Sequence, residues 1–139
     1  MFLRMALLPV KTFLVDDNEI DLFIQKRFLE VFQFTNDIVA FSSAREAIAT
    51  IQDSKSALQP LLVFLDLNMP DMDGFAFLDA LNQLPEERVG HLKVVVITSS
   101  NSQTDYEKAF SYGRVIHFIV KPLKQADLMV VKEKINSQP

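Results

Sequence analysis

The stretch Leu61-Leu62-Val63-Phe64-Leu65-Asp66-Leu67-Asn68-Met69-Pro70-Asp71-Met72-Asp73-Gly74 decides how this chain folds. Five apolar residues, Leu61 to Leu65, run without a break and end on an acid. A short run of bulky apolar side chains suits a central strand buried on both faces. Pro70 and Gly74 behind it require the strand to stop near Asp66. In open α/β sheets, ligands bind beyond the carboxyl ends of the strands. An acid there is held by a rigid element yet reachable from solvent, as a reacting carboxylate must be. Taken alone, Asp66 reads equally well as a plain strand-to-loop acid or as a cap of the next helix.

The flanking sequence repeats the pattern. Val10 to Val15 reads as a strand ending in Asp16-Asp17, and Asn18 caps a helix with Glu19 and Asp21 in its first turn. Ile20, Ile24, Phe28 and Val31 follow at helical spacing, flanked by Phe23 and Leu29, and predict the buried face of that helix. Asp37 to Phe41 is a second strand. Ser43-Ala44-Arg45-Glu46 is a capping box before a helix facing inward with Ala44, Ala47, Ile48 and Ile51. After the central strand, Asp73 caps a helix carrying Phe77, Leu78 and Leu81 that ends near Pro85.

Leu92 to Ile97 is a fourth apolar strand, closing on Thr98-Ser99-Ser100. Asn101 or Ser102 starts a helix with Tyr106, Ala109 and Phe110 inward and Gly113 as its stop. Val115 to Val120 is a fifth strand ending at Lys121-Pro122. Leu123 to about Asn136 closes the chain with Leu128, Val131 and Ile135 on one side. Five strands alternating with five helices imply a parallel sheet covered on both faces.

Composition agrees. A chain of 139 residues, 49% hydrophobic and with twelve Phe, suits one domain. A chain of that size buries about two thirds of its unfolded surface. The absence of Cys excludes disulfides, thiolate metal sites and thiol nucleophiles. A net charge of -4 argues against a nucleic-acid groove. Residues 1–9 are too short to span a bilayer and carry no small-residue cleavage site. We read them as an N-terminal tail, with Met5 as an alternative initiator. Residues 10–136 form the domain, 137–139 a short C-terminal tail, and the expected location is the cytoplasm without membrane insertion.

Parallel strands put their carboxyl ends on one rim. Here that rim carries Asp16, Asp17, Asp66, Lys121 and the hydroxyl of Thr98. Two carboxylates about 5 Å apart repel by roughly 3 kcal/mol at an effective dielectric near 20. Three acids therefore call for a divalent cation, and all-oxygen ligation favours Mg²⁺. A carboxylate nucleophile, a Lewis acid, an ammonium and a hydroxyl donor together suit the acceptance of a phosphoryl group.

These residues resemble those of the receiver domain of two-component response regulators, from about Val10 to Ile135. The resemblance is carried by Asp16-Asp17, by Asp66 with Met69-Pro70 and Gly74, by Thr98-Ser99, and by Phe118-Ile119-Val120-Lys121-Pro122. It implies a flavodoxin-like (βα)5 fold with strand order 2-1-3-4-5. Asp66 is then the phosphoacceptor for a sensor histidine kinase or phosphotransfer protein, and the protein is no turnover enzyme. Asp17, Asp66 and the backbone carbonyl of Asn68 would hold Mg²⁺, with Asp16 acting through water. Lys121 would meet the phosphoryl oxygens, Thr98 would donate a hydrogen bond, and Ser99 would leave room for the group. Phe118 would be the aromatic switch. The Lys121-Pro122 bond would be cis. The implied role is a stand-alone regulator that signals to a downstream protein, or to a second copy of itself, through a phosphorylation-dependent face.

Other residues read more plainly. Asp71 is a loop polar residue, Asp73 a helix cap, His91 exposed and His117 structural. Lys124 and Lys132 to Lys134 form a solvated helix face, and Pro85 to Arg88 an inserted loop. Two other functions share parts of the pattern. A dehalogenase-type phosphatase would want an acid where Asn68 stands, and a flavodoxin-like cofactor site would want a hydroxyl- or glycine-rich loop where Asp16-Asp17 stand.

Overall fold

The computed structural model describes residues 10–53 and 60–136, so the two tails expected at 1–9 and 137–139 lie outside the described residues. Five strands form one sheet: β1 (Lys11–Val15), β2 (Ile38–Phe41), β3 (Leu61–Leu65), β4 (Leu92–Thr98) and β5 (Val115–Val120). All pairs are parallel, in the order β2-β1-β3-β4-β5. β3 is central, as its unbroken apolar run requires.

Because side chains alternate along a strand, the sheet supplies two cores. Phe13, Val15, Val63, Leu65, Val94 and Val96 face one side. There they meet helices α2 (Ala44–Asp53), α3 (Gly74–Asn82) and α5 (Gln103–Phe110). Leu14, Leu62, Phe64, Val95 and Ile97 face the other, against α1 (Glu19–Val31) and α6 (Gln125–Asn136). The capping predictions hold. The side chains of Asn18, Ser43, Asp73 and Ser102 accept from the backbone N–H groups of Asp21, Glu46, Ala76 and Asp105. His91 is exposed, and Asp71 pairs with Arg45 at 2.7 Å on the surface.

Several expectations are corrected. The inward residues of α1 are Leu22, Gln25 and Leu29, while Ile20, Phe23, Ile24 and Val31 are more than half exposed. Two stripes on α1 have helical spacing, and of the expected one only Phe28 and its neighbour Leu29 pack inward, beside Leu22 and Gln25. On α5 only Ala109 is buried; its small side chain sits against the sheet and leaves the rings of Tyr106 and Phe110 outside. That helix ends at Phe110, and Gly113 does not take a positive φ. The Pro85 to Arg88 loop holds a short helix, α4 (Glu86–Val89), which buries Val89 and makes six helices among the described residues. α6 starts at Gln125, two residues later than expected, where Asp127 accepts from the Lys124 N–H. Lys134 is not part of a solvated face: its ammonium donates to the Ile116 carbonyl at 2.8 Å and lies 3.0 Å from His117 Nδ1.

The end of α1 has its own device. Gln33 takes φ 54°, the Gln33 N–H reaches the Glu30 carbonyl, and the Phe34 N–H reaches the Leu29 carbonyl. This is a Schellman ending with Gln where Gly is usual. It turns Phe34 back into the same core as Leu29.

Candidate functional site

The carboxyl ends of β1, β3, β4 and β5 bring together the residues singled out in the sequence. Asp16 and Asp66 follow the last residues of β1 and β3, and the Asp66 N–H donates to the Val15 carbonyl at 3.0 Å. Asp16, Asp66 and Thr98 are buried, Lys121 is partly buried, and Asp17 is exposed. One carboxylate oxygen from each of Asp16, Asp17 and Asp66 lies within 4.8 Å of the other two. The oxygen-only donor set fits a hard dication such as Mg²⁺, which would relieve the repulsion among the three acids.

Gly74 matters to this geometry. A Cβ there would lie 2.7 Å from the Asp66 carbonyl oxygen and 2.7 Å from Leu67 Cα. Only glycine lets the first turn of α3 close over the loop, where the Gly74 N–H donates to the Leu67 carbonyl at 3.0 Å. The loop also turns its own donors on the acid, since the Asn68 N–H reaches Asp66 Oδ1 at 3.2 Å. The Asn68 amide donates to Thr98 Oγ1 at 3.4 Å, so this position carries an amide where a phosphatase of the dehalogenase type would want an acid.

Lys121 crosses the site. Its ammonium donates to Asp16 Oδ2 at 2.9 Å and to Asp21 Oδ2 at 2.7 Å, and lies 3.7 Å from Asp66 Oδ2. Burial works against its charge, but the bonds to Asp21 and Asp16 outweigh burial and hold its pKa above the ordinary lysine value. Burial raises the pKa of Asp66, and the Asp16 charge adds to the effect. Lys121 and the Asn68 N–H offset part of it. The Lys121-Pro122 bond is cis, as the resemblance implied. Phe118 is half-buried, with its ring 5.2 Å from that of Tyr106.

Sequence reasoning missed two participants. The sequence places Asp21 only in the first turn of a helix, yet among the described residues it is the closest anion to Lys121. Gln25 is buried one turn later, and its amide donates to Asp16 Oδ2 at 3.4 Å. Their i, i+4 spacing on the helix that follows Asp16-Asp17 was the available signal.

The profile of the response regulator receiver domain family matches residues 12–132, and the chain belongs to that family. It is 30% identical over 129 residues to the probable methanogenesis regulatory protein FilR2 of Methanothrix harundinacea, covering 91% of this chain and 81% of that one. It is 26% identical to the hybrid signal transduction histidine kinase B of Dictyostelium discoideum over 91% of its own length, and spans 7% of that larger protein. A crystal structure of a response regulator receiver protein from Dyadobacter fermentans superposes with a TM-score of 0.83 at 28% identity. That match covers 93% of this chain and 99% of the other. The order β2-β1-β3-β4-β5 is the flavodoxin-like receiver fold expected from the resemblance. This is a domain of two-component signalling, and no helix among its described residues is long and apolar enough to cross a membrane.

Proposed function

We propose that Asp66 accepts a phosphoryl group from a phosphohistidine on a sensor histidine kinase or phosphotransfer protein. The observation that carries this is the placement of one buried carboxylate, Asp66, against two further acids and 3.7 Å from the Lys121 ammonium. An Asp66 oxygen attacks phosphorus in line, and the donor's P–N bond breaks with its electron pair leaving on the imidazole nitrogen. Lys121 then pairs with the phosphoryl oxygens, and the Thr98 hydroxyl donates to one of them. Asp17, Asp66 and the Asn68 carbonyl would hold Mg²⁺, with Asp16 acting through water. Held there, the ion would supply positive charge to the phosphoryl group in transfer. Water later hydrolyses the acyl phosphate, so the protein assists its own dephosphorylation and turns over no external substrate.

The exposed apolar residues Ile20, Phe23 and Ile24 on α1 offer a surface beside the site on which a protein donor can rest. Output leaves through the face built from α5, β5 and α6, toward a downstream protein or a second copy of the chain. The donors invoked are cytoplasmic, and so is the role. Incubation with Mg²⁺ and acetyl phosphate, followed by intact-mass measurement, tests the assignment. One labile phosphoryl group on the wild type and none on Asp66→Asn is the expected result; equal labelling of both removes Asp66 from the role.

A further inference from the structure

The Lys121 ammonium sits nearer to Asp21, at 2.7 Å, and to Asp16, at 2.9 Å, than to Asp66, at 3.7 Å. We infer that Asp21 is a positioning residue that restrains Lys121, slowing phosphoryl acceptance by Asp66 while strengthening the Mg²⁺ site; the inference rests on the reading of Asp66 as acceptor.

The restraint is built into α1. Asp21 lies in the first turn, and its N–H is tied to the side chain of Asn18 at 3.0 Å, so the start of the helix fixes where its carboxylate can reach. The pair is partly withdrawn from water, with side-chain exposure of 20% for Lys121 and 34% for Asp21. An ion pair so placed is screened less than one on the open surface. One turn on, the buried Gln25 amide donates at 3.4 Å to the same Asp16 oxygen that accepts from Lys121. The other side-chain atom of that amide, Oε1, has no partner among the described residues. α1 therefore grips the lysine through Asp21 and the lysine's second acceptor through Gln25.

Phosphoryl transfer opposes this arrangement. As the Asp66 oxygen forms its bond to phosphorus, the donor's P–O or P–N bond breaks and the electron pair leaves with the donor atom. The anionic group that arrives needs the Lys121 ammonium, which must loosen its bond to Asp21 to reach it. Asp21 also repels an anionic donor directly, as a partly exposed carboxylate 2.7 Å from the ammonium that the arriving group must reach. The same contact has the opposite effect on the metal. While Asp21 shares the ammonium, Lys121 neutralises Asp66 and Asp16 less, and the acids keep more charge for Mg²⁺. Loss of general integrity would weaken both activities; loss of the restraint moves them apart.

The test uses the full chain and its Asp21→Asn and Asp21→Glu variants. The rate of phosphorylation by acetyl phosphate is followed by intact mass at saturating Mg²⁺, and Mg²⁺ affinity is measured by calorimetry without donor. For Asp21→Asn we expect phosphorylation about fivefold faster and Mg²⁺ binding about threefold weaker, the scale of one partly screened ion pair. Asp21→Glu, which keeps the charge, should return both values toward wild type. An Asp21→Asn protein with unchanged or slower phosphorylation overturns the inference. If the wild type accepts no phosphoryl group, the reading of Asp66 falls. The inference falls with it, because there is then no acceptance for Asp21 to slow.

Discussion

The rings of Tyr106 on α5 and Phe118 on β5 meet edge to face, with centroids 5.2 Å apart and planes at 60°. The Tyr106 ring also packs on Phe110, 5.0 Å away, and both of these α5 rings stand partly in solvent. Thr98, which ends β4, pairs in register with Val120, two residues beyond Phe118. A hydroxyl drawn from Thr98 toward a phosphoryl group would open space near the Phe118 ring, and movement of that ring would uncouple it from Tyr106. We expect Thr98→Ala and Phe118→Ala to accept phosphate on Asp66 yet lose phosphorylation-dependent partner binding or dimerisation. A coupling of about 1–3 kcal/mol suffices. Sizing chromatography or a binding assay on phosphorylated proteins reads it, and full responsiveness in both mutants would send the signal through another face.

Mg²⁺ should stabilise the fold by relieving the crowding of Asp16, Asp17 and Asp66. At ten times its dissociation constant the gain is about 1.4 kcal/mol. We expect Asp17→Asn to lose most of the Mg²⁺-dependent rise in melting temperature while being no less stable than wild type in chelator, since it removes a repelling charge. A mutant that keeps the whole rise shows that Asp17 is no ligand.

Gly74→Ala should disturb the site from behind. The added Cβ would fall 2.7 Å from the Asp66 carbonyl oxygen and Leu67 Cα, both of them backbone atoms. Relief requires moving the loop that sets the Asp66 side chain. We expect a loss of about 1–3 kcal/mol in urea unfolding, with slower phosphorylation. Gly113→Ala is the control, because a Cβ there meets nothing within 4 Å among the described residues. Equal stability of the two variants would remove Gly74 from the support of the site.

His117 gives the fold a pH dependence. Burial lowers its pKa, the Lys134 ammonium lowers it further, and Asp127 offsets part of the effect. The unfolded chain takes up a proton near pH 6.5, whereas the folded protein resists protonation until lower pH. Between those values the unfolded state binds more protons, so stability is lost as pH falls through about 6.5. Urea midpoints measured from about pH 7.5 down to about 5.5 should decline in the wild type. The decline should be shallower in His117→Gln. Parallel declines would assign the dependence to other groups.

Sequence alone determined the strands, most helix starts, the parallel sheet and the rim of Asp16, Asp17, Asp66, Thr98 and Lys121. Each of these depends on local signals: an unbroken apolar run for β3, a side-chain acceptor one residue before a helix, an acid or a lysine where a strand must stop. Parallel pairing then carries the strand ends to one edge with no further information. What tertiary structure decided is which of two candidate faces each helix buries, and which charge each charge meets. Leu22 and Leu29 face the sheet while Ile20 and Ile24 face solvent, although both pairs have helical spacing. Ala109 is buried and its aromatic neighbours are not, because close approach of α5 to the sheet favours the small side chain. Lys121 meets Asp21, 100 residues away in the chain, because α1 and the end of β5 lie side by side. Periodicity reports that a helix has an apolar side, but the choice between two such sides, and between competing carboxylates for one ammonium, is made only when the elements pack and the distances exist.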